Sequence, residues 1–390
     1  MTPSGMAVVK MPCLPLPKHR GARMPGPCGP SAIVYVMQHL MALDKLSREC
    51  GFTDIIPRIW LAPVRGVVPG VGYPIDWWGL WMEYVEGISM ENFLFRGRPR
   101  PIGRDTQIEI MNNKLNRTRV IHAAIFDLLT SQCDRHAQNI FIQEDGNIRL
   151  IDHDASLNHM SVTCGFDSVF VPTTAKYEVV RTANHWVLKL PGAETAPRLP
   201  AVDAQVLFDY RCYLPEGRDA MGTSYPPQAE ACMRRIASMT PDQVKEYYGF
   251  TQTRVAFYLR TRAVDMLTKG YEWAAKYGQP RNANPRRYRM KPKCCELTLP
   301  KGPNPSIRCA HPYEPVWELP LGNPTTGKEW DKDRPDLGTY EGGTFPEDPP
   351  DAGLGGEGSA GWPPAPPAPP KKPRRPPRSP PRPQRPKASQ

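Results

Sequence analysis

The run Cys133-Asp134-Arg135-His136-Ala137-Gln138-Asn139-Ile140-Phe141-Ile142, followed by Gly146-Asn147-Ile148-Arg149-Leu150-Ile151-Asp152-His153-Asp154, decides how this chain is read. Upstream, Asn116 to Gln132 carries Val120, Ile121, Ala124, Ile125, Leu128 and Leu129 at helical spacing, which predicts a helix with one continuous apolar face. Downstream, Ile140-Phe141-Ile142 and Ile148-Arg149-Leu150-Ile151 are short strands joined through Glu144-Asp145-Gly146-Asn147, a hairpin turn. The helix delivers Asp134 to a loop, Asn139 stands at the mouth of the first strand, and the hairpin returns Asp152 beside it. Two carboxylates and an amide so placed suit phosphoryl transfer. One carboxylate orients an accepting hydroxyl and takes its proton, while the other and the amide offer hard oxygen ligands to magnesium on ATP phosphates.

Working outward, Met6 to Met11 reads as a strand containing Lys10, and the Pro- and Gly-rich stretch from Pro12 to Pro30 reads as a loop. Ala32 to Cys50 is helical by the spacing of Val36, Leu40, Leu43 and Leu46, with Gly51 as its C′ residue. Ile55 to Val71 suggests short strands, Trp77 to Val85 a buried strand, and Ser89 to Leu94 a helical turn after Gly87. Thr240-Pro241-Asp242-Gln243 is a capping box with proline at the first helical position. Thr251 to Tyr277 reads as one long helix, with Val255, Leu259, Ala263, Met266, Leu267 and Gly270 inward. Residues 281–390 lack periodicity and are rich in Gly and Pro, which predicts a disordered tail.

These segments resemble the phosphatidylinositol 3-/4-kinase family, whose catalytic loop reads Asp-Arg-His-x-x-Asn before a hairpin ending in Ile-Asp. Similar loops occur in other atypical kinases, including secretory-pathway protein kinases and bacterial toxin-type kinases. The resemblance implies an α+β, two-lobed protein-kinase-like fold with a reduced N-lobe (1–86), a helical C-lobe (87–280) and the tail (281–390). It implies that Asp134 is the catalytic aspartate, that His136 stabilises the transferring phosphate, and that Asn139 and Asp152 hold Mg. Lys10 resembles the lysine that pairs with ATP α- and β-phosphates. Glu83-Tyr84-Val85 resembles the hinge, where backbone groups of Glu83 and Val85 would bind adenine.

Three departures accompany the resemblance. Too few residues precede Lys10 for a glycine-rich cover over the phosphates, so either the gene product is truncated or the nucleotide is covered differently. Ala32 to Leu40 contains no acid to pair with Lys10; Gln38 is the nearest polar residue, and Asp44 and Glu49 come late. His153-Asp154 stands where that family has Phe-Gly, so His153 takes the packing role and Asp154 adds charge.

The expected function is an ATP- and Mg-dependent phosphotransferase acting on a lipid, protein or small-molecule hydroxyl; the alternative is a pseudokinase, a binding scaffold acting through its tail. Between Asp154 and Pro172 there is no Lys or Arg, which argues against an inositol-phosphate headgroup. The formal charge is +11, of which eight units come from Lys and Arg after Gly361, leaving +3 for the rest. Nucleic-acid binding by the folded part therefore finds no support in charge. The basic proline-rich tail suits an SH3-type groove or an acidic surface.

No stretch reaches the ~18 apolar residues of a transmembrane helix. No signal peptide is visible, and the ten cysteines lack paired CxxC knuckles. Reduced thiols and a cytoplasmic location follow as expectations, with the secretory pathway as the alternative should a leader precede Met1. Asn116-Arg117-Thr118 matches a glycosylation sequon at the predicted start of a helix.

Overall fold

Lys10 closes strand β1 (Ala7–Lys10), which pairs antiparallel with β3 (Tyr73–Glu83); β3 in turn pairs with β2 (Ile59–Val68) in a three-stranded sheet of order β1-β3-β2. The computed structural model describes residues 5–10, 30–68, 72–95, 102–157, 168–171, 178–181, 186–189, 207–277, 294–298 and 306–309, all within a body spanning Met1–Ala352. The stretch 12–29 and the tail after Cys309, both singled out in the sequence, lie outside these residues. The architecture is α+β, with small antiparallel sheets in the first half and helices later.

Helix α1 (Pro30–Glu49) packs on β2, buries Leu40, Leu43 and Leu46 in the main apolar cluster, and ends at Gly51, whose φ of +81° fits the glycine C′ position. The strand β2 is one long strand where several short ones were expected, because its partner β3 begins at Tyr73 and supplies an unbroken ladder down to Met82. After β3 come β4 (Ile88–Ser89), α2 (Met90–Phe95), α3 (Arg104–Glu109) with a π-turn at Ile110–Lys114, and α4 (Arg117–Leu129). Asn116 caps α4: its side chain accepts from the Arg119 amide at 3.2 Å and donates to Asn147 Oδ1 at 2.9 Å. The sequon asparagine is thus engaged in holding the helix start to the hairpin turn.

Strands β5 (Ile140–Ile142) and β6 (Ile148–Leu150) form the expected hairpin, and β4 adds a third strand in the order β4-β5-β6. Its turn demands glycine at 146, where φ is +85° and an added Cβ would lie 2.0 Å from the Lys114 carbonyl oxygen. Short pairs follow at β7 (Glu178–Arg181) with β8 (Trp186–Lys189).

The helices α5 (Pro227–Ser238), α6 (Pro241–Tyr248), α7 (Thr253–Lys269) and α8 (Tyr271–Tyr277) pack through Ile236, Val244, Leu259 and Met266, in the same apolar cluster as α1 and α4. The Thr240–Gln243 capping box is present in both directions. The long helix predicted over 251–277 is two helices. Gly270 breaks it at φ +97°, and the Tyr271 amide turns away to the Gly222 carbonyl at 2.8 Å. Helical periodicity continues across the break, so the pattern alone conceals it.

Disulfides join Cys50 to Cys232 and Cys212 to Cys294, so the expectation of reduced thiols does not hold. The second bond anchors the hairpin of β9 (Cys295–Thr298) and β10 (Ser306–Cys309), which lies inside the stretch expected to be without structure. Spacing gave no hint, because the bonded residues are 182 and 82 positions apart. Among the described residues, no helix is long and apolar enough to cross a membrane.

Candidate active site

The end of α4 sets the site. Past Leu129 the chain turns through Ser131, at φ +46°, and Gln132 before reaching Asp134. Asp134 stands half exposed, with its carboxylate 3.8 Å from His136 Nε2. The His136 ring accepts at Nδ1 from the Gln138 amide (3.2 Å), capping the 3-10 turn Ala137–Asn139 and aiming Nε2 at Asp134. Asn139 is buried and donates from Nδ2 to the Asp134 carbonyl at 2.9 Å, which leaves its Oδ1 as the acceptor end. The Asn139 carbonyl accepts from the Ile151 amide at 3.0 Å, so Asn139 and Asp152 sit at adjacent strand ends. Asp152 takes a left-handed backbone conformation, φ +59°, a strained state for a residue with a side chain.

Lys10 reaches this group from the sheet. Its ammonium donates to Asp152 Oδ1 and, at 3.4 Å, to Asp154 Oδ2. Burial alone would lower its pKa, but the bond to Asp152 and the charges of Asp154 and Asp152 outweigh that, and the ammonium is held above its ordinary value. On α1, Gln38 is exposed. Asp44 is spent on Arg48 and the Ile59 amide, and Glu49 on Arg235 and Tyr247. The partners of Lys10 are therefore the aspartates of the loop after β6, and not an acid of the helix.

Arg135, wholly buried, is the structural hub. Its Nε donates to both oxygens of Asp127 (3.2 and 3.1 Å), and Nη1 donates to the carbonyls of Asn139 (3.2 Å) and Ile151 (2.6 Å). Nη2 donates to His153 Nδ1 at 2.9 Å. A guanidinium has no acceptor, so His153 is a neutral imidazole. Burial and the positive charges of Arg135 and Lys10 hold its pKa well below the usual histidine range. The ring packs edge-on against Phe126, centroids 5.3 Å apart. Burial pushes the Asp127 carboxyl up, while Arg135 and the Ser168 hydroxyl, donating at 2.7 Å, oppose the shift. The chain at Ser168 runs beside Arg135 in a parallel bridge.

Lys10, Asp134, His136, Asn139 and Asp152 are thus brought into one group. Glu83 and Val85 stand at the strand end: Glu83 accepts from Arg149 Nη2 (2.9 Å) and the Arg58 amide (3.2 Å), and Val85 is buried. Gly87 follows at φ +114°, where a Cβ would lie 2.6 Å from the Ile142 carbonyl oxygen, so the turn brings Glu83–Gly87 against the hairpin.

Sequence reasoning missed Gln132, Asp127 and Ser168. Asp127, a lone acid amid the α4 stripe, is the one that carried a signal. Among the described residues, no group of three or more His, Cys, Asp or Glu is placed to hold a metal. One carboxylate and one amide oxygen suit magnesium, which keeps several waters and shares its shell with phosphate. In comparison with known proteins, no family model and no curated protein matches this chain.

Proposed function

We propose that the chain is an ATP- and Mg-dependent phosphotransferase of the atypical, phosphatidylinositol-kinase-like kind, with a reduced N-lobe carrying Lys10 and a C-lobe carrying the catalytic loop. The observation that carries this reading is the convergence of Lys10, Asp134, Asn139 and Asp152, from positions up to 142 residues apart. The sheet order β1-β3-β2, with α1 between β1 and β2, supports the lobe assignment. In this reading Asp134 accepts the proton of the attacking hydroxyl, and His136 beside it stabilises the transferring phosphate. Lys10 moves from Asp152 to the α- and β-phosphates. Asn139 Oδ1 and the Asp152 carboxylate would hold Mg, which when bound neutralises charge developing on the phosphates. The backbone of Glu83 and Val85 would bind adenine.

The scaffold alternative has one observation in its favour. Lys10 already neutralises Asp152, and no acid of α1 is positioned to draw it away. The disulfides support an oxidising compartment over the cytoplasm. Calorimetry and thermal shift with Mg-ATP, on the protein and on Asp152→Ala, decide between the readings. Stabilisation that disappears in the variant is the expected result; no binding by the unaltered protein leaves the scaffold.

A further inference from the structure

Gln132 is fully buried, lies between the two acidic loops, and uses both ends of its side chain. Its Oε1 accepts from the Asp134 amide at 3.2 Å, and its Nε2 donates to the Asp152 carbonyl at 3.3 Å. One side chain therefore spans from the backbone of the proposed proton acceptor to that of the proposed metal ligand. The residue before it, Ser131, is held in the left-handed region at φ +46°, and Asp152 at its other end is also left-handed at φ +59°. Each such residue is strained and persists only where its surroundings enforce it.

The enforcement is visible. Buried Arg262 of α7 donates from Nη2 to Ser131 Oγ at 3.1 Å and from Nη1 to the Ala274 carbonyl at 3.2 Å. The Gln132 amide returns to the Asp127 carbonyl at 2.9 Å. Around the bridge, the Cys133 amide bonds the Ala155 carbonyl (3.3 Å) and the Leu157 amide bonds the Thr130 carbonyl (2.9 Å). These backbone bonds join the two loops; among the described residues, only the Gln132 side chain ends directly on both Asp134 and Asp152.

We infer that Gln132 is a positioning residue that sets the separation of Asp134 from Asp152, so that hydroxyl activation and metal binding share one geometry. The inference rests on the phosphotransferase reading above. A glutamine reports position well here because its amide is both donor and acceptor and carries no charge to disturb the two aspartates. Gln132→Met keeps the volume and removes both bonds. Gln132→Glu keeps an acceptor for the Asp134 amide and removes the donor to Asp152.

The test is Mg2+ titration at saturating ATP, by calorimetry, together with ATP turnover, on the full chain and both variants. Near-UV circular dichroism checks folding of each. Both variants are expected to need at least tenfold more Mg2+ for half-saturation, with excess Mg2+ restoring part of the turnover. Gln132→Met is expected to lose more turnover at saturating Mg2+ than Gln132→Glu, because it alone removes the acceptor of the Asp134 amide. A folded variant, less heat-stable but with unaltered Mg2+ dependence, makes Gln132 merely structural and overturns the inference, leaving the phosphotransferase reading intact. Absence of Mg-ATP binding by the unaltered protein overturns both.

Discussion

Lys10, the last residue of β1, donates directly to the carboxylate of Asp152, 142 residues further along the chain. In the proposed reaction these two groups separate, one to phosphate and one to metal. In the structure they neutralise each other, and Asp154 shares the ammonium at 3.4 Å. Lys10→Met is therefore expected to weaken ATP binding by tenfold or more and to strengthen binding of Mn2+ alone by up to roughly fivefold. The second figure is the tenths to 1 kcal/mol of an exposed ion pair, since both side chains are about two-fifths exposed. Calorimetry with ATP and with Mn2+ separately reads both.

Arg135 and Asp127 are both fully buried, and removing one partner leaves an uncompensated charge. Arg135→Met is expected to destabilise the protein by about 3–5 kcal/mol, measured by urea unfolding. Combining it with Asp127→Leu is expected to cost less than the two single changes added together, because the double variant buries no lone charge. Arg135→Lys is not expected to rescue, since an ammonium cannot reach Asp127, two carbonyls and His153 in one plane.

Burial pushes the pKa of His39 down to about 4, against the pull of its bond to the Ser156 carbonyl at 2.6 Å and the charge of Asp154. A folded pKa below the unfolded value means that the unfolded chain binds the proton more readily. The stability His39 contributes is complete above its unfolded value near 6.5 and is lost as pH falls toward 4. His153 is shifted the same way. Stability is expected to fall by roughly 3 kcal/mol between pH 7 and pH 4 on account of His39, and His39→Leu is expected to show a shallower slope in thermal melts across that range.

The bond between Cys50 and Cys232 fixes the end of α1 to α5, beside the pairing of Glu49 with Arg235 at 2.7 Å. Replacing both cysteines by serine is expected to lower stability by about 2–4 kcal/mol. Unfolding with and without reductant should differ for the unaltered protein by more than for this double variant. Mass spectrometry of non-reduced peptides checks the pairing itself.

Elements set by neighbouring residues were legible in the sequence: α4, the β5–β6 hairpin with Gly146, the Gly51 cap and the Thr240 box. Each follows from local periodicity, φ preference or side-chain capping, which act over a few residues. Asp134, Asn139 and Asp152 were legible for the same reason, being spaced along one helix-loop-hairpin unit. What the tertiary structure alone decided is the set of contacts between distant segments. Lys10 has no partner legible in the sequence because Asp152, 142 residues further along the chain, meets it only in the folded protein. In sequence Gln132 reads as the polar end of a helix, whereas in the fold its side chain joins two loops, and the helix break at Gly270 depends on Gly222. The cysteine pairs, too, follow from which distant segments meet, α1 with α5 and the turn at Cys212 with the β9–β10 hairpin, because a disulfide needs proximity in space and spacing along the chain does not encode it.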